Sequence, residues 1–94
     1  MRDKDNLFGS LVSLAIEQTL IDFNPAVLDK VATRLYEKYQ CKIEDCYRHP
    51  DYLNDVLKQL FGNSYNSILT SIRAKLDEFS YQEPISKFLG DLEK

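Results

Sequence analysis

Cys41, Cys46 and His49 stand in a C-x4-C-x2-H arrangement that brings both thiols and the single imidazole of the 94-residue sequence into one short segment. Two thiolates and an imidazole are zinc ligand types, and Asp45 or Asp51 could add an oxygen as the fourth. Structural zinc, however, is held by four dedicated Cys or His ligands, usually in chains that lack a core of their own. No metal and no cofactor is therefore the leading expectation, with a zinc-binding helical module on Cys41, Cys46 and His49 as an alternative. The two cysteines are expected as small apolar thiols, at least one buried, and His49 as the cap of the helix that follows it.

The same cluster is poorly suited to nucleophilic catalysis. A thiolate needs a neighbouring base or cation, and no third residue is marked out to orient one. A phosphate-accepting histidine belongs in mid-helix, whereas His49 precedes Pro50, where helical backbone is disfavoured. Three scattered glycines make no phosphate-cradling loop. The carboxylate pairs Glu44-Asp45 and Asp77-Glu78 fall beside expected helix ends or loops, where charge is ordinarily solvated. No catalytic residue is assigned, and the chain is expected not to be an enzyme.

Binding chemistry has two candidates. Lys30, Arg34 and Lys38 recur every four residues, so a helix aligns them on one face, with Lys42 and Arg48 extending it. A DNA-binding regulator could use that stripe, but Asp29, Glu37, Glu44 and Asp45 interrupt it. The whole chain is acidic as well, with 15 Asp and Glu against 12 Lys and Arg and a net charge of -3, a poor match to nucleic acid. Tyr36, Tyr47, Tyr52, Tyr65 and Tyr81 form the second candidate, because they flank the aliphatic stripes and partly exposed aromatics favour protein interfaces. They equally suit a core edge, with rings covered and hydroxyls wet.

The elements that position these residues are helices. Hydrophobic residues make up 44% of the chain, recur every three or four positions, and nowhere alternate in the strand manner. A first helix is expected from Asn6 to Phe23, with Leu7, Leu11, Leu14, Ala15 and Ile21 inward and Ile16 and Leu20 widening the stripe. Asn24-Pro25 supplies a cap and a first-turn proline for a second, with Leu28, Val31, Ala32, Leu35 and Tyr39 inward. Cys41 to His49 breaks the period with room for one short turn. Pro50 opens a third helix, carrying Leu53, Val56, Leu57 and Leu60 and closed by Gly62. Asn63 or Ser64 begins a fourth, with Ile68, Leu69, Ile72, Leu76 and Phe79, and Pro84 a short last one. The expectation is one all-α domain over residues 1–94, four principal helices and a short C-terminal helix, with residues 1–5 as a mobile tail.

Two cysteines make no disulfide framework, and neither a signal-like start nor a membrane-length apolar run is present, so a cytoplasmic, non-membrane protein is expected. A chain this short covers only about two-thirds of its unfolded surface, and self-association would add to its stability.

Ala15-Ile16-Glu17-Gln18-Thr19-Leu20, Asp45-Cys46-Tyr47-Arg48-His49-Pro50-Asp51-Tyr52-Leu53 and Leu60-Phe61-Gly62 resemble a small helical family of ammonia-oxidising archaea (Thaumarchaeota, or Nitrososphaerota). The pattern is similar to the output module of their response regulators and extends over most of Leu7 to Leu92. The resemblance implies a signalling or regulatory context and no reaction. Together with the residue chemistry it leads to a non-enzymatic interaction or signalling-output module whose partner is a protein, a second copy of the chain included. Whether it also takes a small molecule is left open.

Overall fold

A computed structural model of the chain describes residues 2–92, with side chains from Leu7 onward, and all its regular structure is helical. Five α-helices follow one another: α1 (Arg2–Phe23), α2 (Pro25–Tyr39), α3 (Pro50–Phe61), α4 (Tyr65–Leu76) and α5 (Glu83–Leu92). Short 3-10 segments at Ile43–Tyr47, Gly62–Ser64 and Asp77–Phe79 occupy the connections. This is the expected all-α bundle. Residues 2–5, expected as a tail, continue α1, while Met1 and the side chains of 2–6 lie outside the described residues.

Local chemistry accounts for most of the boundaries. Asn24 Oδ1 accepts the Ala26 N–H at 3.0 Å, and Pro25 takes the first helical position, where its missing donor costs nothing. Pro50 opens α3 in the same way, and Gly62 closes it at φ 52°, a conformation open to glycine without a Cβ clash. The end of α2 is less obvious. Gln40 adopts φ 53° and ψ 40°, and its N–H turns back to the Tyr36 carbonyl at 2.8 Å. A non-glycine residue held there costs about 1 kcal/mol, which the bond and the buried Cys41 beyond it offset.

α1 is the central helix, packed along the Ile43–Tyr47 segment, α4 and α2, while α3 joins α2 to α5. Its buried face is Val12, Ala15, Ile16, Thr19 and Leu20. Val31 and Leu35, then Leu53, Val56 and Leu57, then Ile68, Ile72 and Leu76, and finally Ile85, Phe88, Leu89 and Leu92 close the core, with Ile43 and Cys46 as a plug. Phe23 meets Phe61 edge-on at 5.4 Å, and Lys75 pairs with Asp22 at 3.3 Å, fastening the end of α1 to α3 and α4.

The expected inward stripe of α1 is corrected in part: Ala15, Ile16 and Leu20 are buried as expected, the others are not. Leu7, Leu14 and Ile21 are exposed and Leu11 is half-buried. Apolar residues occupy two registers of this helix. Adjacent rows at Ala15/Ile16 and Thr19/Leu20 give a face broad enough to meet three neighbours at once, and that face wins the interior. Leu60, Leu69 and Phe79 are likewise half-buried rather than central.

Among the described residues three polar side chains are buried, Ser13, Thr19 and Asn54. Asn54 Nδ2 donates to the Leu92 carbonyl, tying α3 to the end of α5. Thr19 Oγ1 is buried with no hydrogen-bond partner among the described residues.

Candidate functional site

The 3-10 segment Ile43–Tyr47 gathers the chemistry-bearing residues into one corner. Asp45 fixes its start by accepting the Lys42 N–H at 3.1 Å, while the Asp45 N–H donates to the Lys42 carbonyl at 2.9 Å. Cys41 Sγ and Cys46 Sγ donate to that same carbonyl, at 3.4 Å and 3.7 Å. Both are buried and free. Burial is the main force pushing each thiol up, Cys46 furthest, with the neighbouring Asp45 carboxylate adding to it. Near neutral pH both stay protonated, the form that neither attacks a carbonyl nor binds a metal.

His49 does not join them. It occupies the expected cap position before Pro50, but its side chain makes no cap hydrogen bond, which corrects that expectation. The ring instead stacks on Tyr52 at 4.6 Å and 10°, and Tyr52 stacks on Tyr39 at 4.1 Å and 2°. His49 itself has φ -132° and ψ 62°, outside the extended conformation usual for a capping residue. With Asp45 engaged by the backbone and Asp51 exposed in the first turn of α3, no three His, Cys, Asp or Glu among the described residues group to hold a metal.

The stack continues into a carboxylate. Asp55 Oδ2 accepts from the Tyr39 hydroxyl and from Lys38 Nζ, both at 2.5 Å. The lysine first, and the tyrosine second, hold the Asp55 carboxyl below its ordinary range. The bond to Asp55 in turn pushes the Tyr39 phenol up to about 12. One cation of the basic stripe is thus engaged by a carboxylate of α3 at the surface. Lys30 and Arg34 border a shallow depression shared with Asp29 and Glu37, so opposite charges interleave there.

The five sequence-selected tyrosines have different fates. Tyr36 and Tyr81 are 62% and 79% exposed. Tyr52 lies in the stack, Tyr65 is half-buried beneath Lys58 with Nζ 5.4 Å from its ring centre, and Tyr47 packs against the core beside Gly9.

A surface missed at the sequence level lies on α1. Leu7 and Leu14, 58% and 54% exposed, and Ile21, 38% exposed, fall with Leu11 on the side of the helix opposite its core face. Beside them an open groove of 370 Å³ runs between α1 and the end of α4, walled by Leu11, Leu14, Leu76 and Phe79. The spacing of Leu7, Leu11, Leu14 and Ile21 carries that signal, but the same spacing reads equally well as an inward stripe.

Compared with protein-family models, curated proteins and solved structures, the chain matches none. No helix among the described residues is long and apolar enough to cross a membrane.

Proposed function

We propose that this domain is a non-enzymatic module that binds a protein partner through the outward face of α1. One observation carries the reading: three aliphatic side chains, Leu7, Leu14 and Ile21, stand exposed on the solvent side of the central helix, with half-buried Leu11 beside them. A helix apolar on both faces is ordinarily buried on both. Apolar patches of a few hundred Å² are the largest that monomers ordinarily expose, and they are often functional. The output role implied by the archaeal resemblance needs such a surface and no reactive group. The two free thiols suit a reducing, cytoplasmic setting.

The test is a photoreactive amino acid placed singly at Leu14, Tyr36 or Tyr81 of the full chain in living cells. Adducts to protein at Leu14, in excess of those at the two tyrosines, are expected. Adducts confined to Tyr36 or Tyr81 would move the contact surface to the aromatics, and none at any position would overturn the reading.

A further inference from the structure

An open groove of 710 Å³ runs between α1 and the Ile43–Tyr47 segment, within the size range of small-molecule sites. Ser10, Ser13 and Glu17 line it from α1, and Glu44, Asp45 and Arg48 line it from the segment and its end. Ligand clefts are mostly apolar. A wall this polar suits a charged, hydrophilic molecule instead.

Ser13 marks the groove as a binding site. It is only 9% exposed, it lies on the groove wall, and its hydroxyl makes no hydrogen bond among the described residues. A hydroxyl inside a helix often returns to the carbonyl one turn back, as Thr70 Oγ1 does to Asn66 at 2.9 Å. Ser13 leaves that bond unmade, so its hydroxyl is available to a molecule in the groove. Glu17, one turn on, is half-buried and has no ion pair or hydrogen bond among the described residues. A carboxylate partly withdrawn from water without a cation gains by meeting one.

We propose that the groove binds a free basic amino acid, its ammonium groups taken by Glu17, Glu44 and the Ser13 hydroxyl and its carboxylate by Arg48. Three carboxylates against one guanidinium leave two negative charges in excess on the described wall, which selects a ligand of net positive charge. A divalent metal is not that ligand, because no three acidic, Cys or His side chains among the described residues group to hold one. The charges are spread along the groove: Ser10 and Glu17 stand about 10 Å apart on α1. A ligand with charges at both ends of a chain fits that spread. Arg48 excludes a pure polyamine, which would meet it as a like charge. Its guanidinium, with no acid partner among the described residues, matches a carboxylate by two parallel hydrogen bonds.

Titration of the full chain with L-lysine, followed by calorimetry and by amide NMR shifts, tests the site. Saturable binding is expected, with shifts gathered at Ser13, Glu17, Glu44 and Arg48. Glu17→Gln and Arg48→Met should each weaken it at least ~10-fold by removing a charge-assisted bond. Asp29→Asn, an equal loss of charge on the exposed side of α2, should leave it unchanged. Cadaverine, which lacks the carboxylate, should bind at least ~10-fold more weakly than lysine, and ε-acetyl-lysine should be weakened as well. Circular dichroism checks that each variant keeps its helicity. No saturable binding up to ~10 mM lysine, shifts spread over the whole surface, affinity indifferent to Glu17→Gln, or cadaverine equal to lysine overturns the proposal.

Discussion

The corner from Lys38 to Asp55 and the outward face of α1 are opposites. The corner holds two thiols, an imidazole, two stacked tyrosines, a lysine and several carboxylates, nearly every side chain that catalysis or metal binding could use. Its thiols share one carbonyl, its imidazole is stacked and two of its carboxylates, Asp45 and Asp55, accept from backbone, lysine or tyrosine. The α1 face has no reactive group, yet its Leu and Ile side chains stand in water. A side chain is available for function when the fold has not already satisfied it, and by that measure reactivity and availability are inversely placed in this molecule.

The largest test compares the two faces of α1. Ile16→Ala removes a fully buried side chain and should cost about 2–5 kcal/mol in urea unfolding. Leu14→Ala, two residues away, should stay within about 0.5 kcal/mol when measured on dilute protein. A large loss at Leu14 under those conditions would mean that the face is covered within a single copy.

Next comes the corner itself. Cys46→Ser places a stronger hydrogen-bonding group in a fully buried site whose nearest acceptor is 3.7 Å away, and should cost about 1–3 kcal/mol. A chelator is expected to leave the thermal midpoint of the wild-type chain unmoved. Loss of helicity on chelation would restore the zinc reading to Cys41, Cys46 and His49.

How far the sequence announced these regions follows from what is local. Asn24, Pro25, Pro50 and Gly62 act through their own backbone and nearest neighbours, and the boundaries they mark are where they were expected. Gln40 was illegible, because a left-handed stop at a non-glycine residue depends on the packing that holds it. The face of α1 was illegible for a related reason. Both registers are apolar, and only the shapes of α2, α4 and the Ile43–Tyr47 segment decide which turns inward. At the corner the proximity of Cys41 and Cys46 was readable from their spacing, but the Tyr39–Tyr52–His49 stack joins two helices and a connection that no spacing rule relates.

The buried register of α1 contains one flaw that sharpens the same contrast. Thr19 places a hydroxyl in the core without a partner among the described residues. Thr19→Val keeps the shape and removes the desolvated group, so it should raise stability by about 1 kcal/mol. Urea midpoints of the two proteins would show it, and a loss on substitution would mean that the hydroxyl is satisfied after all.

The smallest effect concerns pH and the exposed end of the corner. Tyr39 is held neutral by Asp55 to about 12, above the ordinary phenol value of 10.0. Between those values the unfolded chain releases the proton first, so this contribution to stability is intact below pH 10 and disappears as pH rises through the folded value. Asp55 has the opposite sign. Its folded value is lowered, so its contribution is intact above the ordinary carboxylate range and is lost as pH falls through the folded value. Both groups face water, and the effect should be a modest shift in thermal midpoint. Subtracting the midpoint profile of Tyr39→Phe from that of wild type should isolate an alkaline slope, and Asp55→Asn should remove the acid one. Profiles that coincide from acid to alkali would mean that the Lys38–Asp55–Tyr39 bonds are too loose to hold charge. That end of the corner would then be as available to a partner as the face of α1.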